Sequence, residues 1–207
     1  MKTMKTLPVF CGLVLAAGVA SSANAGFVNA DFETGDFTGW DIAYTPNGMS
    51  AVENVVLFDL GYGESYAAQF AVGEIDYDGT EQGVILTQNM YLIGGFTYDL
   101  GFHAAAHRPV GGGNYDGGTF WLIVDDYVVA YWASGYIQGG EPPLTASVDG
   151  QYTPAADGYY DVGCMITRHY ILPSDTIYQY VDDFYITPAP GALALLGLAG
   201  LIGRRRR

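Results

Sequence analysis

From Ser65 onward the chain repeats one pattern of organisation. Apolar or aromatic runs of roughly four to eight residues are separated by clusters of Gly, Asp and Pro. No long segment shows helical periodicity, and runs this short suit strands better than core helices. They predict strands over Tyr66–Val72, Gly83–Tyr91, Phe96–Ala105, Thr119–Val124, Tyr127–Ala133, Tyr159–Thr167 and Tyr178–Ile186. Asp125 and Asp126 stand between two β-rich runs, which predicts a hairpin with these residues at its tip. No repeat period emerges and no linker divides the body, so the expected fold is all-β, a single antiparallel β-sandwich.

The first residues, MKTMKTLPVFCGLVLAAGVASSANAG, combine Lys2 and Lys5, an apolar stretch from Leu7 to Ala20 and the small-residue site Ala23-Asn24-Ala25. That pattern predicts a signal peptide over residues 1–25, cleaved after Ala25. Cys11 would leave with it, so Cys164 has no partner for an intrachain disulfide and reads as a small buried apolar residue. Lys2, Lys5 and a terminal block of four arginines hold all but two of the basic residues. The body, 26–187, keeps only Arg108 and Arg168 against 22 acidic residues. A body this acidic repels nucleic acid and anionic lipid.

The chain closes with Pro188-Ala189-Pro190, an apolar run from Gly191 to Gly203, and Arg204, Arg205, Arg206 and Arg207. An apolar helix stops transfer, and arginines that stay cytoplasmic fix its orientation. The arrangement resembles the PEP-CTERM sorting signal of Gram-negative bacteria, with Ala189 where glutamate is usual. The resemblance implies export, transient anchoring in the inner membrane through the C-terminal helix, and processing by an exosortase-type enzyme. Delivery to the cell surface or extracellular matrix would follow. A plain C-terminal anchor is the alternative.

The stretch GFVNADFETGDFTGW carries Asn29, Phe32, Glu33, Gly35, Gly39 and Trp40, and YQYVDDFYI lies near the other end of the body. Together they resemble the opening strand and turn, and the closing strand, of jelly-roll carbohydrate-binding modules. Phe184 and Ile186 should face the core, and alternation then puts Asp182 on the same side as Phe184. A core-facing carboxylate needs a partner, and Ca²⁺ takes six to eight oxygens. The resemblance implies a structural Ca²⁺ at Asp182, with Glu33 and Asp31. A solvent-facing acidic hairpin end is the other reading.

Other motifs are weaker. Asp76–Glu81, DYDGTE, has the look of a calcium loop but lacks the rest of an EF-hand. His103 and His107 have zinc spacing only if helical, and the preceding residues read as strand. No nucleophile elbow or phosphate loop occurs. The 119–136 hairpin is apolar on both faces, so one face is expected to present to a polysaccharide a row drawn from Trp121, Trp132 and their neighbours, or from Phe120, Tyr131 and Tyr127; a central hairpin buried on both faces is the other reading. The leading function is an exported, non-catalytic surface or matrix protein that binds polysaccharide. A purely structural or adhesive protein and a small glycosidase or lyase remain the alternatives.

Overall fold

The computed structural model describes residues 26–111, 114–169 and 177–189, and every regular element among them is a strand. In chain order these are β1 (Asp41–Tyr44), β2 (Gly48–Asp59), β3 (Glu64–Glu74), β4 (Gln82–Leu92), β5 (Tyr98–His107) and β6 (Asn114–Asp116). There follow β7 (Thr119–Val124), β8 (Tyr127–Ala133), β9 (Tyr136–Gln138), β10 (Leu144–Tyr152), β11 (Gly158–Arg168) and β12 (Tyr178–Pro188). One five-stranded sheet runs β1-β4-β11-β7-β8 and the other β10-β5-β12-β3-β2, while β6 and β9 form a short ribbon. All pairings are antiparallel, and the chain crosses repeatedly between the sheets, as in a jelly-roll sandwich.

β7 and β8 have the expected bounds, and the other five expected strands are present with ends moved by one or two residues. The unanticipated strands are edges and ribbons, where burial on one face is incomplete and the apolar pattern is diluted. The signal-peptide residues, Ala23 and Ala25 among them, lie outside the described residues. So do Pro190 and the arginines from Arg204 to Arg207. Among the described residues no helix is long and apolar enough to cross a membrane.

Strand alternation builds the core. Leu86 on β4, Phe120 and Leu122 on β7 and Ile166 on β11 point inward against Phe70, Leu100 and Phe102 of the second sheet. One end is filled by aromatics. Trp40 stacks on Phe27 at 5.3 Å and on Phe32 at 5.5 Å, with Phe184 at 4.5 Å. The segment that carries Asn29 and Phe32 is a turn and not the expected strand, because both residues take left-handed φ, 51° and 50°. That turn aims the Asn29 carbonyl at the Trp40 indole, which donates to it at 2.9 Å. Losing the Trp40 ring should cost about 3–5 kcal/mol. Cys164 lies fully inside this core, where desolvation pushes its thiol pKa up.

β12 breaks the alternation. Asp183 has φ 53°, and the pairing with β5 shifts between Asp182 and Tyr185. This bulge corrects the expected direction of Asp182: the residue stands opposite His103 on the outer face of the second sheet, while Phe184 still reaches the core. That outer face is covered in part. Leu60, Ala67, Ala105 and Tyr180 make a second small apolar cluster, with the Phe58 ring stacked on Tyr180 at 3.6 Å. Asp59 accepts from the N–H groups of Gly61 and Gly63 and so curls the β2–β3 turn over the sheet. Tyr62 thereby lands on His103, with ring centroids 4.0 Å apart.

Candidate functional site

Among the described residues no second apolar cluster packs over the outer face of the first sheet, where Thr119, Ile123 and Thr167 are buried and Trp121 and Tyr131 are partly or largely exposed. Register aligns one row across five strands: Ala43 of β1, Ile85 of β4, Met165 of β11, Trp121 of β7 and Tyr131 of β8. The Trp121 and Tyr131 rings lie 5.1 Å apart and tilted by 33°, and Tyr131 is 64% exposed. The next row, toward the hairpin tip, is Asp41, Thr87, Gly163, Ile123 and Val128, with a glycine at its centre. Beyond it stand Asn89 with Asp161, and then the edge-to-face pair Tyr91 and Tyr159, both exposed. The face is therefore an apolar strip with aromatic rings near both ends and polar groups between them.

Trp121 is held by its polar edge. Its indole N–H donates to Thr167 Oγ1 at 2.8 Å, and the Thr167 hydroxyl donates to Glu81 Oε2 at 2.7 Å. Thr119 donates to the other Glu81 oxygen at 3.2 Å, and His169 Nε2 lies 3.4 Å from it. This chain of hydrogen bonds fixes the indole while leaving part of the ring open to solvent. Such a surface offers a flat apolar area with the Glu81 carboxylate and the His169 imidazole at its rim, an arrangement able to stack on a sugar ring and hydrogen-bond its hydroxyls.

The hairpin does not present its two tryptophans together. Cross-strand pairing sets Trp121 beside Tyr131 and Phe120 beside Trp132, and the two pairs lie on opposite faces. Trp132 stacks on Phe120 at 5.2 Å and packs against the main core. The reason is register. With Asp125 at φ 50° closing the tip and a bulge between Leu122 and Ile123, Trp121 and Trp132 fall on strand positions of opposite parity.

The acidic candidates sit elsewhere, between the second sheet and the N-terminal turn. Asp182 is 1% exposed; its Oδ2 accepts from Ser65 Oγ at 2.7 Å and its Oδ1 from the Asp183 N–H at 2.8 Å. Burial, with the Asp183 and Asp31 charges adding to it, pushes its pKa up to about 7 despite those hydrogen bonds. Glu33 Oε1 accepts from the Tyr66 N–H at 3.2 Å, and Asp31 Oδ1 from the Glu33 N–H at 3.4 Å. Among the described residues no group of three or more His, Cys, Asp or Glu side chains is placed to hold a metal ion. Asp182 and Asp31 sense each other's charge, but the donor set falls short of a preformed cage.

His103 and His107 sit four residues apart on a strand; His103 Nδ1 is 3.1 Å from Asp183 Oδ2 and His107 lies beside Phe58. In the DYDGTE loop Asp78 accepts from Thr80 and Asn47, which closes a turn. A separate hollow of about 360 Å³ lies beside β9 and the start of β10, lined by Arg108, Tyr136, Gln138, Glu141 and Pro142 among others. Arg108 lies over the Tyr115 ring there, 4.0 Å from its centroid.

No protein-family model matches the chain, and no curated protein matches it. Among solved structures the chain is similar to TmCBM61 in complex with β-1,4-galactotriose, at 18% identity and TM-score 0.44, covering 79% of this chain and 98% of that one. It is likewise similar to the C-terminal family 22 carbohydrate-binding module of Clostridium thermocellum Xyn10B, at 18% identity and TM-score 0.43, covering 81% and 96%. A Stig cyclase, Fisc from Fischerella sp. TAU, is similar at 19% identity and TM-score 0.45, covering 79% and 98%. At these values the likenesses assign no ligand and no reaction to this chain.

Proposed function

We infer that the protein is a non-catalytic polysaccharide-binding module that takes its ligand on the outer face of the first sheet. The observation that carries this reading is the Trp121–Tyr131 pair. Two rings stand side by side on the outer face of the first sheet, Tyr131 exposed and Trp121 partly so and clamped by the Thr167–Glu81 relay. Rings with a fixed orientation lose little entropy on stacking, so they suit a weak, repetitive ligand. The resemblance of the Asn29–Trp40 stretch and the closing strand to carbohydrate-binding modules supports the same reading.

Affinity electrophoresis of the exported protein in gels containing xylan, galactan or glucan tests it. Trp121→Ala and Tyr131→Ala should each weaken retardation about tenfold with an unchanged melting temperature. Trp132→Ala should instead lower the melting temperature, because its ring packs on Phe120. Retardation that survives Trp121→Ala would remove the face from the function.

The same reading includes export through residues 1–25, and C-terminal processing near Pro188-Ala189-Pro190 by an exosortase-type enzyme before delivery to the surface or matrix. It also includes a structural Ca²⁺ at Asp182, with Glu33 and Asp31, that would neutralise the buried carboxylate. Pro188 ends β12, and the Ala189 N–H donates to the Thr97 carbonyl at 2.8 Å, so the first two residues of the tripeptide are tied to the sandwich. Intact-mass measurement on protein from the native host should find a chain that begins at Gly26 and lacks Arg204 to Arg207. An exported product that keeps those arginines would leave a plain anchor.

A further inference from the structure

We propose that the polysaccharide taken by the Trp121–Tyr131 face is cationic, a polymer of hexosamine units with free amines. The proposal rests on the polysaccharide reading above and adds the charge of the ligand. Its ground is where the described domain keeps its cations. The two basic side chains of the body, Arg108 and Arg168, are each 1% exposed. Arg108 lies over Tyr115, and the Arg168 Nε donates inward to the Asp116 carbonyl at 2.8 Å. Apart from three half-exposed histidines, the charges that the described domain shows to solvent are carboxylates.

Those carboxylates bracket the aromatic strip. Glu81 stands at one end, beside the Thr119–Thr167 positions and hydrogen-bonded to both. Asp161 and Asp125 stand exposed toward the other end, joined by the Asp161 N–H that donates to Asp125 Oδ1 at 2.8 Å. Asp41 lies exposed on the β1 edge, level with Thr87. A bound chain of sugars would run over the rings and between these groups. A uronate polymer would be repelled along its whole length, and a neutral polymer would gain stacking and hydrogen bonds at the rim but no charge complementarity. A protonated amino sugar gains three terms on the same footprint: ring stacking, attraction of the ammonium to the electron-rich faces of Trp121 and Tyr131, and complementarity with the bracketing carboxylates.

The test uses calorimetric titration of the exported protein at pH 6 with four probes: glucosamine hexamer, its N-acetylated counterpart, xylohexaose and poly-lysine. The glucosamine hexamer should bind at least about tenfold more tightly than the N-acetylated hexamer at low salt, and that gap should narrow in high salt. Trp121→Ala should weaken the glucosamine hexamer about tenfold and leave poly-lysine binding as it was, and Glu81→Gln should lower the ratio between the two hexosamine hexamers. Equal binding of the amine and N-acetyl forms, each lost in Trp121→Ala, would overturn the cationic ligand and keep the polysaccharide reading. Glucosamine binding that ignores Trp121→Ala and is displaced by poly-lysine would reduce it to field attraction and overturn the proposal. If no hexamer binds, this proposal falls, while the polysaccharide reading is decided separately by retardation in the xylan, galactan and glucan gels.

Discussion

Asp182 carries a charge that the interior tolerates badly, and the balance between its states can be read with pH. Its ordinary pKa of 3.8 rises to about 7 in the fold. Below the lower value both folded and unfolded chains hold the proton, and stability is unaffected. Between the two values the unfolded chain has lost the proton while the folded chain keeps it, so stability falls as pH rises, by up to roughly 4 kcal/mol in total. Above 7 the penalty stays at its full size. Melting temperatures of the metal-free protein from pH 4 to pH 8 should therefore decline, and Asp182→Asn should flatten the decline; a profile unchanged in the variant would assign the slope to another group. A Ca²⁺ bound at the proposed site would act in the opposite sense, because it would stabilise the ionised form. A calcium-dependent rise in melting temperature should be small at pH 5, larger at pH 8, absent in Asp182→Ala and intact in Asp78→Ala. No rise at pH 8 in the unmutated protein would overturn the proposed calcium site.

Strands differ in how openly they announce themselves. β7 and β8 alternate against a filled core and end on the Asp125–Asp126 tip, so their bounds follow from residue type alone. β2 and β10 lie at sheet edges with many half-exposed positions, and nothing in GMSAVENVVLFD or LTASVDGQY separates them from loops. The bulge in β12 could not be read from VDDF, since two aspartates fit either a regular strand or a left-handed step, and the choice is made by His103, Ser65 and the N-terminal turn. For the same reason Trp121 and Tyr131 were legible as candidates, but Glu81, Thr167, Met165 and Ile85 joined them only through register, which no single strand contains. The second apolar cluster makes its own prediction. Phe58→Ala should cost about 2 kcal/mol by removing the ring stacked on Tyr180 and loosening the β2–β3 turn, with little effect on binding at the other sheet. Chemical denaturation and the same electrophoresis check both halves of that statement.

Taken whole, the described domain is a polyanion whose two arginines are inside. Self-repulsion of this kind weakens with ionic strength, so moving from about 10 mM to about 500 mM NaCl should raise the melting temperature by several degrees. A fall over that range would mean that local ion pairs outweigh the net field. The two inward arginines also have a consequence for resistance to proteolysis. Trypsin cuts after Lys or Arg but not where Pro follows, and the body has no lysine, while Arg108 is followed by Pro109. The bond after Arg168 is then the single tryptic site between Gly26 and Thr187, and its side chain is sealed in the fold. Cleavage there has to wait for the sandwich to open, so the rate of trypsin digestion reports the open population directly. A protease that cuts after lysine or arginine would find almost nothing in this folded domain to cut.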